Sequence, residues 1–214
     1  MTTQEKYFVF INPAPSRIRK LLNLAIFALS PTEKWPAHIT VAGPFNRRPR
    51  SRAHPEFDRT VFVLGVWNFF SIGFGTVYLK VGMPGIEKYW SKPDFVGNPV
   101  THVSIYNGRD FEFANAIFNR LKPINPSFSF PVKGIDIIRS SSQGTTALRE
   151  EVDISCLEET LGLSIEEVAS LSKFERIEIA AKALEECNSV AGEQGHGMTP
   201  LIPSVSFLKK KWPQ

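Results

Sequence analysis

Two short runs of the sequence place a histidine, one intervening residue and a hydroxyl residue at the head of an apolar stretch. They are His38-Ile39-Thr40 in "PAHITVAGPF" and His102-Val103-Ser104 in "PVTHVSIYNG". In an extended strand alternate side chains share a face. His38 and Thr40 therefore point one way while Ile39 and Val41 point the other, and the same rule separates His102 and Ser104 from Val103 and Ile105. Two such strands side by side put two imidazoles and two hydroxyls on one floor, a set that suits a phosphodiester. One imidazole takes a proton from an attacking water or hydroxyl and the other gives one to the leaving oxygen, each role typically worth ~10²–10⁴-fold in rate. The hydroxyls can donate to the non-bridging oxygens. The candidate catalytic residues are His38, Thr40, His102 and Ser104. The sequence offers no acidic cluster of the kind that holds a metal, so neither metal nor cofactor is expected. With four histidines in the chain, one His-x-Ser/Thr arises easily by accident. Two copies, each heading a β-branched strand and each preceded closely by a proline (Pro36, Pro99), do not.

The neighbours of these motifs suggest how a substrate is held. Arg47, Arg48, Arg50 and Arg52 follow the first motif and can reach flanking phosphates, with Arg47 and Arg48 nearest. Phe45 and Tyr106 follow the two motifs closely and are candidates to stack a base at a cleft rim, with at least one of them expected in the core. Trp67, Phe69 and Phe70 read as core. His54 and His196 lie in loop-like sequence and receive no role. Cys156 and Cys187 read as small buried residues of a helical segment.

The elements that must position these residues follow from periodicity. "KYFVFIN" is a strand closed by Pro13 and Pro15. Ile18, Leu21, Leu22, Ala25 and Leu29 recur at helical spacing and stop before Pro31. The uncharged run Val61–Leu79 approaches membrane-spanning length. Its three glycines and its β-branched and aromatic content instead predict two buried strands joined near Gly73–Gly75. "MPGIEKYWSKPDFVGNP" is turn-rich, with one short helix. Asp110 caps a helix carrying Phe113, Ile117, Phe118 and Leu121, which Pro123 limits. "FSFPVKGIDIIRS" supplies another strand or two. Ser164-x-x-Glu167 and Ser172-x-x-Glu175 match the capping box and predict helices near 165–171 and 173–187, followed by a linker and a loose tail.

The charge is unevenly placed. Residues 1–142 hold 18 Lys+Arg against 9 Asp+Glu, a net +9, and residues 143–214 hold 7 against 12, a net −5. A basic body suits a polyanionic partner, and an acidic end suits something else. No secretory signal pattern opens the sequence and two cysteines make no disulfide framework, so the expectation is a cytoplasmic protein with no membrane partner.

The doubled motif and its surroundings resemble the two-histidine (2H) phosphoesterase superfamily, which includes 2′-5′ RNA ligase-like proteins and cyclic nucleotide phosphodiesterases. The resemblance rests on His38-Ile39-Thr40 and His102-Val103-Ser104. It extends to "YFVFIN", the "VFVLG…TVYLKVG" pair and "VKGIDIIRS", covering roughly residues 5–142. It implies an α+β, bilobal fold, with two antiparallel β-sheets facing a central cleft and helices outside. It also implies metal-independent hydrolysis of 2′,3′-cyclic or 2′-5′ phosphodiester bonds in nucleotides or RNA ends. Two features depart from that pattern: the segment after the first motif is basic instead of helical, and a C-terminal α-helical extension is added. The expected organisation is a catalytic domain over 1–142, an acidic helical extension over 143–190 and a flexible tail over 191–214. The extension is expected to bind a protein partner or to self-associate. Two other readings stay open: hydrolysis of signalling cyclic oligonucleotides, and an RNA-end-binding module without turnover.

Overall fold

The computed structural model describes residues 6–31, 36–47, 58–71, 73–85, 101–140 and 164–194. The expected short helix after Met83, together with Arg48, Arg50, Arg52, His54, Cys156, His196 and the rest of the expected tail from residue 195, lies outside these residues.

Among the described residues the strands and α-helices run in the order β1 (Lys6–Pro13), α1 (Arg17–Leu29), β2 (Ile39–Phe45), β3 (Asp58–Ser71), β4 (Phe74–Gly82), β5 (His102–Gly108), α2 (Phe111–Leu121), β6 (Ser129–Ser140), α3 (Ile165–Ser170) and α4 (Lys173–Gln194). The local signals explain most of these boundaries. Ser16 caps α1 by accepting from the Arg19 amide, and Asp110 caps α2 by accepting from Phe113. Ser164 and Glu167 form a reciprocal capping box, and Ser172 and Glu175 repeat the exchange at the start of α4. The uncharged run becomes the β3–β4 hairpin, turned through Gly73 at φ +74°. α4 runs on to Gln194, so the first residues of the expected linker are helical.

All neighbouring strands are antiparallel, in the order β1-β2-β5-β4-β3-β6, and β6 returns to β1 to close the ring. The expectation of two separate sheets is thus replaced by one six-strand sheet. The two motif strands, β2 and β5, are neighbours in this ring. β3 meets β6 over Asp58–Phe62 and Ser129–Lys133. β2 meets β5 through the single pair Ile39↔Val103. Pairing removes open edges that would otherwise invite another chain.

One face of the sheet carries the core. Ile39, Val41, Val77, Leu79, Val103 and Ile105 cluster there with Leu22 of α1 and Ala114 and Ile117 of α2. The closeness is shown by Gly75, where an added Cβ would lie 2.6 Å from the Ala114 Cβ. α1 is buried on most sides, because the sheet covers one flank and α4 the other. Ile177, Ala180, Ala181, Leu184, Cys187 and Val190 of α4 belong to the same apolar cluster as the strands. Arg176 adds a polar tie, donating from Nε to the Ala28 carbonyl at 2.7 Å and from Nη2 to the Leu29 carbonyl. It thereby satisfies two acceptors that the end of α1 leaves open. Arg120 of α2 grips Glu178 of α4 with both carboxylate oxygens, at 2.7 and 2.9 Å. Among the described residues no helix is long and apolar enough to cross a membrane.

Candidate active site

The register Ile39↔Val103 does more than join β2 to β5. In an antiparallel pair it sets Thr40 opposite His102 and His38 opposite Ser104. All four side chains lie on the face away from the helices, because Ile39 and Val103 are wholly buried on the other. The result is a two-by-two patch with the imidazoles on one diagonal and the hydroxyls on the other. The structure therefore brings together the four residues that the sequence singles out. All four are only partly buried, so the patch is reachable from solvent.

His38 is held from three directions. Its Nδ1 lies 2.7 Å from the Pro36 carbonyl oxygen. A carbonyl can only accept, so Nδ1 carries the proton and Nε2 carries the lone pair. The ring stacks on Phe10 at 4.0 Å between centroids and 26° between planes. Phe10 is buried but lies outside the helix-side cluster, as its pairing with Thr40 requires. The preceding turn is tied to α1, since the Ala37 amide donates to Asn23 Oδ1 at 2.7 Å. Burial pushes the His38 pKa down to about 4. The neighbouring His102 lowers it too, against the opposing effect of the Pro36 hydrogen bond. His38 is thus a neutral imidazole across the neutral range.

His102 sits in a different setting. It opposes Lys80 of β4 and packs against Tyr78, with ring centroids 5.0 Å apart. Burial raises the Tyr78 pKa, so the phenol stays protonated and remains a donor.

The surrounding candidates divide. Phe45 is partly buried at the far end of β2, opposite Tyr7, and Arg47 is exposed just beyond it. Tyr106 is not at a rim. It is 8% exposed and packs edge-on to Phe113 of α2 with centroids 5.3 Å apart. The cause is a bulge: Tyr78 opposes Ser104 while Val77 opposes Tyr106, so Ile105 is an extra residue and Tyr106 turns to the helix side.

A second bulge corrects another expectation. Val63 opposes Val81 and Val66 opposes Leu79, which makes one residue of β3 extra, and Gly65 takes φ +100° there. The side-chain alternation shifts by one, and Trp67 and Phe69 turn out of the core, 46% and 61% exposed. Phe70 alone of that trio packs against the core. Across the strands Trp67 opposes Tyr78, which opposes Ser104, so these aromatics share the histidine face. The sequence held one signal of this, a glycine inside a strand.

Among the described residues no group of three or more His, Cys, Asp or Glu is placed to hold a metal. No family model matches the chain, and no curated protein matches it. The chain is similar to the solved structure of Kluyveromyces marxianus Usb1, with a TM-score of 0.37 and 13% sequence identity, over 63% of this chain and 93% of that one.

Proposed function

We propose that the chain is a phosphodiesterase working by two-histidine acid–base catalysis on 2′,3′-cyclic or 2′-5′ phosphodiester bonds of nucleotides or RNA ends. The observation that carries this reading is the square of His38, Thr40, His102 and Ser104 created by the Ile39↔Val103 register. The roles divide by tautomer. With its Nδ1 proton engaged by Pro36, His38 presents Nε2 as a base. It takes a proton from water as the water oxygen bonds to phosphorus. His102 then protonates the sugar oxygen as its bond to phosphorus breaks, leaving a phosphomonoester. A bound phosphodiester anion favours the imidazolium that forms on His38, which offsets the low pKa of the empty site. Thr40 and Ser104 donate to the non-bridging oxygens.

The test is turnover in EDTA of a panel of 2′,3′-cyclic mononucleotides, a 2′-5′-linked oligoadenylate and cyclic oligonucleotides. The intact protein is expected to cleave one class. His38→Ala and His102→Ala should each lose roughly 10²–10⁴-fold in kcat. Silence of the intact protein across the panel, or turnover that survives both substitutions, would overturn the reading.

A further inference from the structure

The histidine face does not end at β5. Cross-strand pairing continues it over β4 and β3 in three rows. His102 opposes Lys80, beside the bulged Leu64–Gly65 position. Ser104 opposes Tyr78, which opposes Trp67. Asn107 opposes Thr76, which opposes Phe69, and the Thr76 hydroxyl donates to Asn107 Oδ1 at 2.8 Å. Leu64, Trp67 and Phe69 on the outermost of these strands are 54%, 46% and 61% exposed. Three large apolar side chains left open in a row on one strand require a reason. Lys80 lies between them and the histidines, its ammonium 4.4 Å from the centre of the Trp67 ring.

We propose that Trp67, Phe69 and Lys80 form a stacking platform for a single-stranded oligonucleotide whose scissile phosphate lies on the histidine patch. The proposal rests on the phosphodiesterase reading and names the substrate as a strand instead of an isolated mononucleotide. The spacing fits. Adjacent strands are about 4.8 Å apart, so Trp67 lies about 10 Å across the sheet from Ser104, room for a neighbouring nucleotide. Trp67 and Phe69 are two residues apart on one face, about 7 Å, which lets each ring meet a separate splayed base. Lys80 fixes one side of the indole and supplies the cation that a phosphate between stacked bases needs. The net charge of +9 over residues 1–142 suits a polyanion over an apolar protein surface.

The experiment uses the full chain and two probes sharing one terminal base, a 2′,3′-cyclic mononucleotide and a tetranucleotide ending in the same cyclic phosphate. The intact protein should prefer the tetranucleotide in kcat/KM. Trp67→Ala/Phe69→Ala should reduce that preference by roughly 10- to 100-fold per stacked base. Lys80→Ala should lower the salt dependence of tetranucleotide binding by about one in slope. Circular dichroism melts would show whether each variant folds, and Trp67→Phe, which keeps an aromatic face, should retain most of the preference. Binding is measured separately, by anisotropy of a labelled tetranucleotide on His38→Ala/His102→Ala. Tight binding that Trp67→Ala/Phe69→Ala abolishes, with no turnover by the intact protein, would leave the platform standing and sink the catalytic reading. Preference and binding that survive the aromatic substitutions would overturn the platform, as for a stripe that docks a protein.

Discussion

Acidification should destabilise this protein through His38 by an amount that can be worked out. The folded pKa of about 4 lies below the ordinary value of 6.5. The unfolded chain therefore binds the extra proton first, and stability is lost as pH falls from the unfolded pKa towards the folded one. Each tenfold difference in proton affinity between the two states is worth about 1.4 kcal/mol, so the whole window is worth about 3 kcal/mol. Because the ring is only partly buried, screening by water reduces this, and between pH 7 and pH 4.5 about 2 kcal/mol is the expected loss. The partner substitution is His38→Asn, whose amide can still donate to the Pro36 carbonyl but does not titrate. Urea unfolding of both proteins at the two pH values gives four stabilities. Carboxylates held low by their partners, such as Glu178 by the Arg120 hydrogen bonds and Asp110 by the Lys173 hydrogen bond, weaken both proteins alike and cancel in the difference. The intact protein should lose about 2 kcal/mol more than the variant on going to pH 4.5. Equal losses would refute the desolvated, neutral imidazole and with it the assignment of His38 as base.

Two further predictions test how the site is supported. Arg176→Ala leaves the Ala28 and Leu29 carbonyls without their guanidinium donors and should cost about 2–3 kcal/mol in chemical denaturation, with Arg176→Lys intermediate. Gly75→Ala drives a methyl group into Ala114 and should cost about 1–3 kcal/mol. Adding Ala114→Gly should recover part of that loss despite its own helix penalty of about 1 kcal/mol, seen as a favourable coupling in a double-mutant cycle.

The motifs were legible because period two is a strong rule. Given strands at His38 and His102, the sharing of a face by imidazole and hydroxyl follows from alternation alone. The caps at Asp110, Ser164 and Ser172 were legible for a similar reason, each being a local exchange of hydrogen bonds. Register was not legible. Nothing in "HITV" or "HVSI" states that Ile39 faces Val103, and a slip of one residue would have turned one of the pairs into the core. Two bulges hid which way three of the aromatics face. An extra residue at Ile105 moves Tyr106 inside, and one at Gly65 moves Trp67 and Phe69 outside, while an uncharged run gives little warning of either.

The closure of the ring by β6 on β1, and the covering of α1 by α4, carry a consequence for the order in which the chain becomes structured. During synthesis the first strand emerges without its β6 partner, which follows more than a hundred residues later, and the apolar flank of α1 waits longer still for α4. Such distant pairings must meet the entropy of long loops before any contact rewards them, which slows folding. β1 and α1 are thus made well before the partners that finally cover them, and for that interval an apolar helix and an open strand edge stand exposed.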